Sequence, residues 1–312
     1  MSVIEVQSPG LLTTVQDLGR EGFGPLGVSA SGAADGVALR IGNRLVGNAE
    51  GAAGLEMTLL GGAFGFTDGA VFALTGSDFG ATLEGSPVEI WRAVEAKPGQ
   101  VLRLGPTRTG ARCYLCVQGG IEVKEFLGSA STHLLSGLGG YAGRALKKGD
   151  LLKTGPAKNS FRARRLAPTA GERLAPRKVL RVTPGPQSDW FSEAAQQIFY
   201  SSTYRVAEES NRMGIRLEGA EVPAPSSGEM ISEGVALGAV QVPEGGKPII
   251  LFVEQQTTGG YPKIANVISA DFHSLGQLRP RDEIRFERIE LDAARALLIK
   301  QEELLASEDL LV

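Results

Sequence analysis

Apolar positions along the chain fall into short runs separated by polar, glycine-rich stretches. Runs at 3–6, 71–75, 101–104, 112–118, 179–183, 203–208, 249–253 and 284–287 predict strands. Three segments carry a helical period instead. In "DGVALRIGNRLVG", Asp35 can cap, Ala38, Ile41 and Leu45 share a face, and Gly47 can terminate. In "SDWFSEAAQQIFY", Ser188 is the expected cap and Phe191, Ala194 and Ile198 the expected stripe. The C-terminal "LDAARALLIKQEELLASEDL" repeats apolar residues at 291, 294, 297/298 and 304/305, which predicts an amphipathic helix.

Composition sharpens this picture. The 312 residues include 42 glycines and 16 prolines but only 6% aromatics, a balance that favours tight turns between short strands over long helices. The expected class is mainly β with a few helices. A net charge of −3 gives no general attraction to nucleic acid or to anionic membranes. No apolar run approaches the roughly 20 residues of a membrane helix, and "MSVIEVQSPG" lacks a basic flank with an apolar core. A cytoplasmic protein is expected. Cys113 and Cys116 stand as C-x-x-C in "RCYLCVQGG", but on a strand the two point to opposite faces. A redox pair needs a helix N-terminus and zinc needs further ligands, so two buried structural thiols are expected.

Residues 155–178, "GPAKNSFRARRLAPTAGERLAPRK", interrupt the apolar period with three prolines and set seven basic residues against Glu172. They read as a surface connection. The expected organisation is an N-terminal lobe at 1–155, a linker at 156–178 and a C-terminal lobe with its helix at 179–312. The lobes share a faint pattern. "YLCVQGGIEV…LGGYAGRALKKGDLL" parallels "LFVEQQTTGGYPKIANV…SLGQLRPRDEI": an apolar strand, a Gly-Gly turn, an apolar stretch, then leucine, a basic pair, Asp and a final strand.

Familiar catalytic signatures are missing. "PEGGKPI" has Pro248 where a phosphate-binding loop needs a hydroxyl, and "GFGPLG" neither follows an apolar strand nor opens a helix. No G-x-S-x-G elbow and no biotin-attachment site occur. His133 and His273 are the only histidines, so a histidine triad or a multi-histidine zinc site would consume almost the whole supply; each reads as a loop or surface residue. What remains is a set of polar, glycine-flanked clusters. They supply Gln16, Asp17 and Arg20; Ser31 and Asp35; Ser129, Ser131 and Thr132; Ser210, Asn211 and Arg212; Ser232, Glu233 and Gln241. A final run supplies Gln255, Gln256, Thr257, Thr258, Gly259, Gly260, Tyr261 and Lys263. Any one cluster reads as hydrogen-bonded turns and caps. Together they exceed what turns require. Glutamines are not turn formers, and tandem threonines beside Gly-Gly let backbone N–H groups approach a ligand. Amides and cations around such a loop suit a small carboxylate or amide.

In this order the clusters resemble the family of allophanate hydrolase subunit 2, the biotin-dependent-carboxyltransferase-like proteins. "SPGLLTTVQDLGREGFGPLGVSASGAAD", "ALRIGNRLVGN", "LEMTLLGG", "TGSDFGATL", "LGSAST", "GPQSDWF", "ESNRMGIRLEG", "SEGVALGAVQVPEGGKPIIL" and "QQTTGGYPKIANVISADFHSLGQL" are among the stretches that carry it. His133, after "GSAST", and Arg281, in "LRPRDEI", depart from the pattern; glycine is common at the second position. The resemblance implies two cyclophilin-like β-barrel lobes. It further implies work beside a subunit-1-like partner, as in the 5-oxoprolinase system. There the A and B subunits complete an enzyme that opens 5-oxo-L-proline to L-glutamate at the expense of ATP, with magnesium.

For such a reaction Arg212 and Lys263 are the expected source of positive charge. Asn211, Gln241, Gln256 and Thr257 would orient the amide, Glu233 or Asp17 would act as base or magnesium ligand, and Arg20 would be a second anion contact. Gln16, Ser31, Gln255, Thr258, Gly259, Gly260 and Tyr261 complete the expected substrate-binding set, with no resident metal site. Two alternatives stay open: a carboxyltransferase component of a urea-carboxylase or allophanate-type enzyme that takes carboxylate from biotin on another chain, and a non-catalytic antagonist of a sporulation-kinase inhibitor.

Overall fold

A computed structural model describes residues 2–157, 160–225 and 230–312. The chain divides into two units: Met1–Arg20, Ser31–Leu174 and Leu304–Val312 form one, and Glu21–Ala30 with Ala175–Glu303 form the other.

In the first unit the described strands form a seven-stranded and a five-stranded sheet around one core. Alternation along Val3–Ser8 sends Ile4 and Val6 inward, where Phe64 and Phe66 of the neighbouring strand join them. Val15, Leu55, Leu74 and Leu115 reach the same core from the five-stranded sheet. Strand Arg112–Val117 is buried on both faces, which is why it reads as an unbroken apolar run. Cys113 and Leu115 face the inter-sheet core, while Tyr114 and Cys116 face the helix Gly36–Leu45. The two thiols are therefore free, buried and on opposite faces, as the strand reading expects, and burial raises both their pKa values. The helix begins where expected: Asp35 accepts from the Ala38 amide at 2.9 Å, and Gly47 follows the helix end at a φ of +78°.

Part of the expected linker is packed structure. Pro168 opens a helix, Pro168–Arg173, and Ala167, Ala170 and Leu174 are buried beside Leu305 and Leu310. Proline at a first helical turn costs no hydrogen bond, so the residue taken as an interruption is an initiator. Lys158 and Asn159 of that segment lie outside the described residues.

The second unit holds a closed seven-stranded barrel among its described strands, sealed by parallel pairing of Val179–Pro184 with Glu283–Arg288. The mainly-β class is as expected, with one lobe closed as a barrel and the other registered as two sheets. The strand expected at 249–253 ends at Leu251. The helix expected from Ser188 also differs: Ser192 caps Glu193–Ser201, accepting from Ala195 N at 3.2 Å. Ser188–Trp190 is a separate 3-10 turn and Phe191 is extended. The buried stripe is accordingly Ala195 and Phe199, one residue later than expected, with Phe199 stacked on Phe286 at 4.5 Å. The final helix runs from Leu291 to Ala306. No helix among the described residues is long and apolar enough to cross a membrane.

The internal repeat is real at atomic detail in one place. Asp150 Oδ2 accepts from Lys147 N at 2.7 Å, and Asp282 Oδ2 accepts from Arg279 N at 2.7 Å. Val6 N donates to Asp150 O and accepts at its own carbonyl from Gly149 N; Val206 does the same with Asp282 and Arg281.

Candidate functional site

The polar run that has no use in an apolar strand begins at Glu254 and makes a small ribbon. Thr258–Gly259 pairs with Glu233–Gly234, setting Glu233 opposite Gly259. The chain then turns through Tyr261, 47% exposed, into the barrel strand Lys263–Val267. That strand pairs Lys263 with Gln241 of Ala239–Gln241, so the two side chains are cross-strand neighbours. Both are almost fully buried, at 2% and 1% exposure.

Buried polar groups need partners; among the described residues Lys263 Nζ meets a counter-charge without a hydrogen bond, and Gln241 Nε2 meets neither. Lys263 Nζ lies 2.6 Å from Glu233 Oε1, which also accepts from Gln187 Nε2 at 3.0 Å. The ammonium and the amide hold the Glu233 carboxyl below its ordinary range. Gln187 in turn accepts from Lys263 N at 3.2 Å, tying the two strands' ends together. Gln241 Nε2 is buried and, among the described residues, has neither a hydrogen-bond partner nor a counter-charge. It faces Gly259 so closely that a Cβ there would stand 2.5 Å from it, and Gln256 Nε2 is 3.5 Å from the same point. The result is a cradle of donors, two amides and an ammonium, with the Glu233 carboxylate against the ammonium.

Other expected residues take structural tasks. Arg212 is paired with Glu254 in a buried ion pair, at 6% and 3% side-chain exposure, so its charge is already balanced. Asn211 is exposed and accepts from Met213 N at 2.8 Å, a turn bond. With its amide turned so that the nitrogen faces Phe252 O, Gln255 would bridge Phe252 O and Leu237 N, and Thr257 O accepts from Val235 N at 3.1 Å. Gly260 lies beside Ser232, and Thr258 is exposed on the ribbon.

Gln16, Asp17, Arg20 and Ser31 belong to the first unit, where they do cluster. Asp17 sits just past strand Leu12–Gln16, and its carboxylate accepts from Gly19 N, Ser129 Oγ, Ala130 N and Ser131 Oγ. Four donors saturate it, which makes it a knot for the 129–131 loop and not a free base. Arg20 donates to Phe126 O and Ser131 O and lies over the Phe126 ring. Gln16 Nε2 and Ser31 Oγ both donate to Thr132 O, at 3.1 and 2.8 Å, with Ser31 at a φ of +56°. Both histidines, expected as loop or surface residues, are buried. His133 Nδ1 accepts from Ser136 N in a loop, and His273 lies in a short helix near Gln301. A first-unit cleft of about 460 Å³, lined in part by Lys97 and Gln118, contains none of the expected site residues.

The comparisons with known proteins agree on one family. Residues 26–288 match the model of the carboxyltransferase domain, subdomain A and B. The chain belongs to that carboxyltransferase family. It is 41% identical to the C subunit of 5-oxoprolinase from Escherichia coli (strain K12) over 94% of this chain and 93% of that one. The crystal structure of TTHA0988 superposes with a TM-score of 0.82 at 37% identity, covering 92% of this chain and 56% of that chain. The K. lactis urea amidolyase superposes with a TM-score of 0.90 at 31% identity, covering 99% of this chain but 21% of that one. This family member thus matches nearly the full length of one 5-oxoprolinase component, but only about a fifth of a urea amidolyase.

Sequence reasoning misses two residues with a part in this region, Gln187 and Glu254. Nothing in "GPQSDWF" shows that Gln187 reaches Glu233 and Lys263, which follow it by dozens of positions. Glu254 does carry a signal: a carboxylate at the end of an apolar run must be balanced, and Arg212 does this.

Proposed function

We propose that this carboxyltransferase-family chain is the C subunit of an ATP-dependent 5-oxoprolinase, hydrolysing 5-oxo-L-proline to L-glutamate with the A and B subunits. The observation that carries the reading is Gln241 Nε2, a buried donor without a partner among the described residues, beside Gly259 and next to Lys263. A lactam with its carboxylate offers acceptor oxygens, and this cradle offers donors. Leaving a buried N–H₂ unpaired costs about 1–3 kcal/mol, which a ligand oxygen would recover. The 41% identity to a 5-oxoprolinase component supports the same substrate class.

A lactam carbonyl is a poor electrophile, and ATP supplies the activation when it is bound. This chain's residues would then hold the ring still and place Gln241 at the oxygen on which charge develops. Arg212, balanced by Glu254, and Asp17, saturated by four donors, shape their loops in this reading. Among the described residues no group of three or more His, Cys, Asp or Glu is arranged to hold a metal. Magnesium would enter with the nucleotide, whose phosphates are among its usual ligands.

The likeness to urea amidolyase favours a second reading, a carboxyltransferase component served by biotin on another chain. One experiment separates the two. With the chain co-expressed with the A and B proteins, 5-oxoproline-dependent ADP release insensitive to avidin supports the first. Avidin-sensitive, urea-dependent release replaces it with the second.

A further inference from the structure

Glu233 is an unusual partner for Lys263. The lysine side chain is 3% exposed, whereas the glutamate side chain is 44% exposed and sits on a two-residue strand at the ribbon's edge. The ion pair is lopsided: one end is fixed in the barrel wall, the other faces water. Glu254, the partner of Arg212, is 3% exposed and has no such freedom.

The burial difference has an energetic consequence. Rotating Glu233 into solvent costs that carboxylate little, because water solvates it again. Lys263 would be left as a buried, unbalanced ammonium, which is strongly unfavourable. Opening is therefore coupled to the arrival of another anion. The same exchange frees Gln187 Nε2, which donates to Glu233 Oε1 at 3.0 Å.

The two donors, an ammonium and an amide on one oxygen, suit a carboxylate. Gln241 lies across the ladder from Lys263, and Gly259 lies opposite Glu233, so both flank the place a carboxylate would take. We propose that Glu233 is a displaceable internal stand-in for the ligand: a small carboxylate takes its place on Lys263 and Gln187 while Glu233 swings into water. The proposal rests on the reading that this cradle is the substrate site, and it adds which group faces Lys263 when the site is empty. Glu233 acts as a gate on affinity and makes no bond to the reacting atoms. Its lowered pKa fits a group held as an anion, not one poised to take a proton.

The test is titration calorimetry on the full chain with 5-oxo-L-proline, cyclopentanecarboxylate and neutral 5-oxoprolinamide. Glu233→Gln removes the competing charge and leaves the Lys263 ammonium unbalanced, so a cooperative thermal unfolding transition of the variant is checked before binding is measured. The expected result is at least tenfold tighter binding of both carboxylates to E233Q than to the unaltered chain, with no gain for the amide. Lys263→Met should lose carboxylate binding. Equal or weaker carboxylate binding by E233Q, an equal gain for the amide, or no binding by either protein would overturn the exchange. If both carboxylates tighten but the assembled complex releases no ADP with 5-oxoproline, the exchange stands and the lactam reading fails.

Discussion

Arg281 holds in the second unit the left-handed turn position that Gly149 holds in the first. Their φ angles are +71° and +90°, and each donates its backbone N–H to the valine carbonyl of the neighbouring strand at 2.8 Å. An L-residue there costs roughly 1–2 kcal/mol that glycine does not. Arg281 recovers part of this through an ion pair with Glu208, but that pair is 81% and 59% exposed and contributes little. Arg281→Gly is therefore expected to stabilise the protein by about 0.5–1 kcal/mol, after the greater freedom of glycine in the unfolded chain is deducted. Gly149→Ala should destabilise by about 1 kcal/mol, since no atom lies within 4 Å of its added Cβ and only the backbone angle opposes it. Urea unfolding of the two variants checks both signs.

The buried Arg212–Glu254 pair makes a different prediction. Removing one partner leaves the other charged and desolvated, so Glu254→Ala should cost about 3–5 kcal/mol. The double variant R212M/E254M should recover much of that loss, because it leaves no buried charge. If Glu254→Ala costs under about 1 kcal/mol by denaturant titration, the pair is more hydrated than its burial indicates.

Gly259→Ala separates the site from the fold. Gly259 has no positive φ to protect, so the backbone accepts alanine, but the new Cβ would meet Gln241 Nε2 at 2.5 Å. The flexible amide must move aside, and its oxygen-binding position is lost with it. The thermal midpoint should change by only a few degrees. Turnover by the assembled complex should fall by about 10²-fold, the scale of losing one oriented donor.

The Glu233–Lys263 contact also sets a pH dependence. The folded pKa of Glu233 lies below its ordinary value, so its contribution to stability is present above the unfolded pKa of about 4.3 and is lost as pH falls through the folded value. The stability difference between the unaltered protein and Glu233→Gln should be constant above about pH 5.5 and shrink at lower pH. Exposure keeps the share of Glu233 itself small, while the buried Lys263 end loses its balancing charge in the variant at every pH. Thermal unfolding of both proteins from neutral pH downward checks the direction.

Much of the architecture was legible because local chemistry dictates it. The alternation of Ile4 and Val6, the double-sided burial of Arg112–Val117 and the Asp35 cap each follow from a few neighbouring residues. So does the Lys147–Asp150 turn and its counterpart at Arg279–Asp282. The errors arose where two local signals competed. Ser188 and Ser192 are both plausible caps, and Ser192 starts the helix that lets Phe199 reach Phe286. Pro168 could end or begin a helix, and the buried contacts of Ala170 and Leu174 select the second.

For the site, the sequence alone determined the kinds of group present: amides, hydroxyls, a few cations and glycines that permit close approach. It could not say which cation is already neutralised. Arg212 and Lys263 look equivalent as residues, yet one is locked to a buried Glu254 and the other to an exposed Glu233. That distinction, and the placing of Gln241 beside Gly259, come from segments separate in the chain that meet in space, barrel strand against ribbon and loop against loop. Charge balance inside a protein is set by what surrounds a group in space, and only the tertiary structure fixes that.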